Sequence, residues 1–430
     1  MVTPLFLLPG GIKDKTWLTE NRNNQGIPSN DVVKVFFINK ETSMDKNRKF
    51  NLVATAASGL EALVGKELRD LGIDCQVENG RARFEGTMET IATANLWLRT
   101  ADRVKIVVGE FDAFTFDELF ENVKALPWED FLPLDAEFPV AGKSIKSKLY
   151  STPDCQAITK KAIVDRLRTY YHRPASVPLT ETGAHFQLEV ALLKDHVMVT
   201  LDTTGPSLFK RGYRLEKGGA PLKENMAAAL IALTTWRKDR PFYDPVCGSG
   251  TICIEAALIG HNIAPGFNRE FVCESWEWFD NNIMEEVRAA AEEQADYDVE
   301  LDITGSDING RMIEIAKANA EEIGLGDSIT FKQQALKDFK TDKEYGVIVA
   351  NPPYGERLGE EETVRKLYRE MGDVFRPLKT WSKYILTSDL AFEEYYGQKA
   401  TKKRKLYNGA LRTDLFQYWG TRPPRAKKED

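Results

Sequence analysis

Cysteine is scarce in this chain: five in 430 residues, Cys75, Cys155, Cys247, Cys253 and Cys273, with no C-x-x-C pair and no histidine close beside one. That spacing supports neither a zinc site nor a disulfide framework, and it fits a reducing, cytoplasmic compartment. Long hydrophobic runs are also missing. The opening MVTPLFLLPGG is apolar but short, no basic segment precedes it, and Lys13 and Lys15 follow too soon for a secretory signal or a membrane span. There is no internal repeat and no low-complexity segment. Nor is the chain basic overall: its formal net charge is -7, so any contact with nucleic acid must come from a local basic face.

What is present suits a globular protein of two or three domains, with 42% apolar and 29% charged residues. Residues 1 to 43 mix polar residues with glycine and proline, and they read as a poorly packed extension. Met44 would serve as a natural start. From Phe50, a β-prone run, a helix over SGLEALVGKELRDLG, a hairpin about Asn79-Gly80, a helix around Ile91 to Leu98 and the strand VKIVVGEF give the order β-α-β-β-α-β. That order predicts a small ferredoxin-like unit over 44–115.

A second α+β unit is expected over 116–203, with helices in FDELFENVKAL and CQAITKKAIVDRLRTYY and two strands separated by Lys194-Asp195. Between Lys143 and Arg173, Lys143, Lys146, Lys148, Lys160, Lys161, Arg166, Arg168 and Arg173 face only Asp154 and Asp165. The plain reading is a solvated helix face, and the sharper one is a surface that tracks phosphates.

From 206 to 420 strands alternate with helices, which indicates a doubly wound, mostly parallel sheet, closed by a β pair of KRKLYNG with RTDLFQYWG. Three strand ends in this unit carry chemistry. DPVCGSGT, Asp244 to Thr251, is a glycine turn in which Gly248, Ser249 and Gly250 let a ligand approach the backbone. It lacks the third glycine of a dinucleotide fingerprint and the G-K-[ST] of a phosphate loop. Asp307 ends LDITGSD, where a carboxylate can accept both hydroxyls of a ribose. Its competing role is a helix cap, which Asn309 could take instead.

The third strand end is NPPY, Asn351 to Tyr354. Two prolines cannot sit in a central strand, but they stiffen the loop beyond one. The Asn351 side-chain carbonyl and the Pro352 carbonyl form two acceptors suited to the two hydrogens of an exocyclic amine, while Tyr354 stacks on the base. Held so, the nitrogen lone pair is freed from the ring and aimed at an electrophile. A strong general base is not needed until a methyl has moved.

With these motifs in this order, residues 206 to 420 resemble a class I S-adenosylmethionine-dependent methyltransferase that acts on nitrogen. KGGAPLKENMAAALI and the RKLYNG turn narrow the resemblance to bacterial ribosomal RNA guanine-N2 methyltransferases. The region from Phe50 to Thr203 is similar to their ferredoxin-like module and THUMP RNA-binding domain. The resemblance implies methylation of N2 of a guanosine in 23S ribosomal RNA, at the site that family knows as G2445, on naked rRNA or a pre-ribosomal particle. It assigns Asp244, Gly248, Ser249, Gly250, Asp307, Gln334, Ala335 and Asn351 to the cofactor, Asn351, Pro352 and Tyr354 to the base, and Pro221, Lys223 and Asn225 to closing the site. Lys143, Lys146, Lys148, Lys160, Lys161 and Arg166, with Tyr407 and Asn408 of the RKLYNG turn, would face RNA. The loop QQALKD departs from the family: Gln334 and Ala335 stand where many relatives carry an aspartate against the adenine amine, so backbone groups or Asp338 are candidates there. No second methyltransferase domain is expected before the tail at 421–430, hence one methylation. No metal is expected.

A rival is an amino-methyltransferase of DNA adenine or of another RNA such as tRNA, because NPPY alone does not tell adenine N6 from guanine N2. No element suited to reading a DNA major groove is visible in the front half, whereas a basic α/β module suits folded RNA. A catalytically silent RNA-binding assembly factor is the third reading. Carbon-5 pyrimidine methylation is disfavoured, since PPY stands where that chemistry needs a cysteine nucleophile.

Overall fold

The computed structural model describes residues 44–215, 222–354 and 361–424. The expected extension over 1–43, Pro221 and most of the tail lie outside the described residues.

The front half runs β1 (Phe50–Thr55), α1 (Glu61–Asp70), β2 (Cys75–Glu78), β3 (Arg81–Gly86), α2 (Met88–Trp97), β4 (Arg103–Asp112), α3 (Phe116–Ala125), β5 (Val140–Ile145), α4 (Thr152–Tyr170), β6 (Leu188–Leu193) and β7 (His196–Asp202). The hairpin about Asn79-Gly80 forms, with Gly80 at φ +76°, and Lys194 and Asp195 turn between β6 and β7 at φ +54° and +67°. Helix α3 starts where Thr115 and Glu118 cap each other reciprocally.

The two front modules are built on one seven-stranded sheet of order β2-β3-β1-β4-β7-β6-β5. The ten-residue β4 makes the join: it pairs β1 near its start and β7 antiparallel along its length. A bulge between Val107 and Gly109 interrupts the second pairing, and a side chain at Gly109 would collide with Leu126.

The back half runs α5 (Glu224–Ala232), β8 (Phe242–Asp244), α6 (Thr251–Gly260), α7 (Asn281–Glu293), β9 (Ile303–Asp307), α8 (Gly310–Glu322), β10 (Thr330–Gln333), β11 (Val347–Ala350), α9 (Glu361–Phe375), β12 (Ser382–Thr387), α10 (Phe392–Tyr396), β13 (Lys402–Asn408) and β14 (Leu411–Tyr418). Its sheet has the order β10-β9-β8-β11-β12-β14-β13. The first five strands are parallel, and the β13–β14 hairpin closes the sheet with β14 antiparallel to β12. This is the expected doubly wound fold. Chain order reverses at β8, so ligands belong beyond the carboxyl ends of β8, β9 and β11.

The long segment inserted between α6 and β9 holds helix α7 and ties the two halves together. Trp276 and Trp278 are buried in the front half's core. Trp276 stacks on Phe186 at 5.0 Å and donates its indole N–H to the His185 carbonyl, while Trp278 donates to the Phe131 carbonyl. A buried indole whose polar end is satisfied stabilises through area without leaving a donor unpaired. Among the described residues no helix is long and apolar enough to cross a membrane.

Candidate cofactor and base site

At the end of β8, Asp244 is 1% exposed. Burial, and then the charge of Asp307, pushes its carboxyl up to about 8, against one hydrogen bond from the Val246 backbone N–H at 3.2 Å. The chain then turns through Gly248 at φ +52° and Gly250 at φ +81°. A side chain at Gly250 would meet Ala316 and Phe331 at 2.9 Å, so the turn must be bare there to seat α6 against its neighbours. Over Gly248 the space is open.

The glycine turn and the β9 end are bonded to each other. Gly248 N–H donates to Asp307 Oδ2 at 3.1 Å, and Cys247 N–H donates to the Ser306 carbonyl at 2.9 Å. Asn309 takes the cap of α8, accepting from Arg311 N–H at 3.0 Å, and its own N–H donates to Asp307 Oδ1 at 2.9 Å. Asp307 is thereby held in place without being spent as the helix cap.

Beyond β10, Gln334 N–H donates to the Asp307 carbonyl at 3.0 Å, and its side-chain amide donates to the Asp338 carbonyl at 2.8 Å. The Gln334 Oε1 atom is buried and has no hydrogen-bond partner, a costly state that a ligand donor would relieve. Ala335 leads into the short turn over Leu336–Asp338.

After β11, Tyr354 donates its hydroxyl to Asn351 Oδ1 at 2.6 Å. Asn351 and Tyr354 are half-buried, Pro352 is buried and Pro353 is exposed. The Pro353 carbonyl accepts from Tyr368 of α9 at 3.3 Å, and Tyr368 also bonds Thr387 at 2.8 Å. A buried phenol therefore pins the proline loop to the end of β12.

Sequence reasoning missed Tyr368 and also Arg214 with Glu224. Arg214 donates to Glu224 at 3.0 Å, to Ser249 Oγ at 3.1 Å and to Thr251 Oγ1 at 3.1 Å. It thus clamps the glycine turn from the segment ahead of α5. No spacing rule flags an arginine ten residues before its carboxylate on an irregular stretch. Of the residues assigned to closing the site, Lys223 lies over Phe209 at 4.8 Å, and Asn225 is buried with its amide donating to Asp102 at 2.9 Å, on the front half.

The residues assigned to RNA divide by environment. Lys143, Lys146 and Lys148 are exposed around the end of the sheet-edge strand β5, and Tyr150 beside them is 84% exposed. Lys148 lies over Phe114 at 4.8 Å, and Lys161 over Phe120 at 5.6 Å. Lys160 pairs with Glu181 at 2.7 Å, and Arg166 forms a two-pronged pair with Glu129, so both are committed within the protein. Tyr407 and Asn408 end β13, with Lys405 over the Tyr407 ring at 5.1 Å, and that hairpin reaches the ferredoxin-like module through Arg404, which donates to the Gly59 carbonyl at 2.6 Å. All five cysteine thiols are free, four of them buried. Burial raises the Cys247 thiol far above its ordinary range, which suits packing rather than nucleophilic attack. Among the described residues no His, Cys, Asp and Glu group could hold a metal ion.

Three family descriptions match consecutive stretches: an RlmL ferredoxin-like domain at residues 51–105, a THUMP domain at 113–202 and an RMKL-like methyltransferase domain at 211–417. A Bacillus subtilis protein named "Putative RNA methyltransferase YpsC" is 58% identical over 384 residues, which are 89% of this chain and all of that one. The "Ribosomal RNA large subunit methyltransferase K/L" of Syntrophotalea carbinolica is 34% identical over 394 residues, covering 87% of this chain but 54% of that longer protein. Two solved structures share the fold closely. One, titled "SMU.472, a putative methyltransferase complexed with SAH", is 62% identical at a TM-score of 0.84 and covers 89% of this chain and 100% of its own. The other, "a predicted N6-adenine-specific DNA methylase" from Listeria monocytogenes, is 66% identical at 0.83 and covers 87% and 97%.

Proposed function

We propose, from the premise that this chain belongs to the family of THUMP-bearing, RMKL-like RNA methyltransferases, that it methylates N2 of one guanosine in 23S ribosomal RNA, at the G2445-type position. The carrying observation is the proline-stiffened loop after β11, in which Asn351 Oδ1 accepts a hydroxyl at 2.6 Å and so has the geometry to accept an N–H of a substrate amine.

The cofactor is S-adenosylmethionine, and the residues present fit it: a buried carboxyl at Asp244, a bare turn at Gly248, a braced carboxylate at Asp307 and an unpartnered acceptor at Gln334. When bound it supplies an electrophilic methyl group. Asp307 would hold the ribose hydroxyls, Gln334 Oε1 would accept the adenine amine, and Asp244 with the turn through Gly248, Ser249 and Gly250 would hold the methionine part. Arg214 keeps that turn in place.

Asn351 and the Pro352 carbonyl would hold the guanine amine by its two hydrogens, and Tyr354 would cover the base. Positioning of this kind lowers the barrier without a strong base. A duplex guanosine must leave its stack to reach such a loop, at a cost of about a few kcal/mol, so rRNA or an assembly intermediate in the cytoplasm is the substrate rather than a finished ribosome.

The name of the Listeria relative keeps one rival in view, methylation of adenine N6. Nucleoside mass analysis of 23S rRNA from a strain lacking the gene, and of that RNA after incubation with the protein, separates the two. Restoration of N2-methylguanosine at one position supports the proposal. N6-methyladenosine in that RNA, or in DNA of the two strains digested alongside, with no change in N2-methylguanosine, would replace it.

A further inference from the structure

The back-half sheet has a second concave site at its opposite pole. The loops before β8, β11 and β12 and the segment after β14 enclose a cleft of about 480 Å³, lined among others by Arg237, Arg240, Tyr345, Ser382, Trp419 and Arg422. Parallel strands separate these loops from Asp244 and Asn351, and four-residue β11 alone spans about 13 Å. The cleft is therefore distinct from the site described above.

Three features of this cleft point to a ligand. Its charge is cationic: three arginines line it, and among the described residues no carboxylate does. Arg237 pairs with the exposed Asp239 at 2.9 Å, Arg240 donates to the Thr235 carbonyl at 3.2 Å, and Arg422 lines the same cleft. Its wall is aromatic: Trp419 is 54% exposed and lies in the cleft, although an indole of that size is ordinarily buried. Its backbone is strained: Tyr345 sits at φ +57°, a conformation that costs an aromatic residue about 1–3 kcal/mol and tends to persist where it serves a site. Asparagine or glycine would hold that turn more cheaply. With tyrosine there instead, a second ring lines the cleft near the indole and the guanidinium groups.

We infer that this cleft binds a nucleoside phosphate, with the base on Trp419 and Tyr345 and the phosphate on Arg240 and Arg422. Stacking on an exposed aromatic with a neighbouring arginine is a sequence-tolerant way to hold one base. The source is either one nucleotide of an RNA chain or a free mononucleotide, and the inference stands apart from which base is methylated.

The test is binding, not methylation. A fluorescein-labelled, 5′-phosphorylated 12-nucleotide single-stranded RNA is titrated by anisotropy, and guanosine monophosphate by calorimetry, against the full chain and its variants. Arg240→Gln with Arg422→Gln should weaken the oligonucleotide about tenfold or more and reduce its salt slope by about 1, each phosphate contact on a single strand adding about 0.7. Trp419→Leu should weaken it about fivefold or more and leave the slope alone, while Trp419→Phe should retain binding. S-adenosylhomocysteine affinity, measured alongside, should be unchanged. If guanosine monophosphate binds and the same variants abolish it, the free nucleotide is the source; if only the oligonucleotide responds, the source is RNA. Less than twofold change for both probes in the arginine pair and in Trp419→Leu overturns the inference.

Discussion

Tyr354 donates its hydroxyl to Asn351 Oδ1 at 2.6 Å, so the atom best placed to accept a substrate amine is already satisfied by its own loop. That contact avoids an unpaired acceptor in the free protein, and a substrate N–H must take the second lone pair of Oδ1 or displace the hydroxyl. Asn351→Ala should lower single-turnover methyl transfer about 100-fold or more, with RNA affinity little changed. Tyr354→Phe keeps the ring and frees the acceptor, so its rate should stay within about threefold of wild type. If Tyr354 covers the base as proposed, Tyr354→Ala loses about 1–3 kcal/mol of stacking per base and should raise KM instead. Equal rates for wild type and Asn351→Ala would remove the loop from the chemistry.

Asp244 lends the free protein a pH dependence. Its folded carboxyl sits at about 8, above the roughly 3.9 of an unfolded chain. Between those values the folded state binds the extra proton, so stability falls as pH rises through the window and stops changing above it. Asp244→Asn mimics the neutral form. The wild-type Tm should drop between pH 5 and 8.5 relative to this variant, and parallel profiles would show that Asp244 is charged throughout.

How much of this was legible in the chain depended on whether the signal was local. Strand ends marked by Asp307 and NPPY, the Asn79-Gly80 turn and the glycine turn at Gly248 are short-range rules of backbone conformation, and the structure carries all of them. The fusion of the front modules through β4 and β7 depends on pairings about 90 residues apart, which no window reveals. Trp276 and Trp278 illustrate the same limit: aromatic residues in an insertion announce burial but not the partner surface. Lys160 and Arg166 illustrate another. A run of basic residues does not disclose which members are already paired with Glu181 and Glu129.

Arg214 holds Glu224, Ser249 and Thr251 together from a largely buried position. Removing one partner of such a pair leaves an uncompensated charge, at a cost of about 3–5 kcal/mol. Arg214→Ala should therefore lower Tm and also weaken S-adenosylhomocysteine binding about tenfold, because the turn loses its brace. Arg214→Lys restores charge but not the fork, and should recover stability more than affinity. A variant that lost stability yet bound the ligand as wild type does would show that the clamp serves the fold alone.

The insertion should matter to both halves of the molecule. Trp278 is buried against Phe50 and Phe131, with its indole satisfied by the Phe131 carbonyl. Trp278→Ala should cost about 3–5 kcal/mol. Hydrogen exchange is expected to quicken in β1 and in α7 together, since Phe50 of β1 lies 6.2 Å from the Trp278 ring and Met284 of α7 belongs to the same buried core. Faster exchange in α7 alone would mean that the front core tolerates the loss.

Exposed and paired lysines on the THUMP surface should behave differently toward RNA. Lys143 of β5 and Lys146 just after it are exposed, as is Tyr150 in the same stretch, whereas Lys160 is engaged by Glu181 and by the Phe138 ring at 3.8 Å. Each lysine that neutralises a phosphate adds about 0.7–0.9 to the slope of log affinity against log salt. Reversing Lys143 and Lys146 to Glu should weaken rRNA-fragment binding at least tenfold at moderate salt and flatten that slope by about 1.5. Lys160→Glu disturbs an internal pair, so its effect should appear in Tm and leave the slope nearly unchanged. If the slope follows Lys160 and ignores the β5 pair, RNA lies along α4 and the Glu181 contact opens on binding.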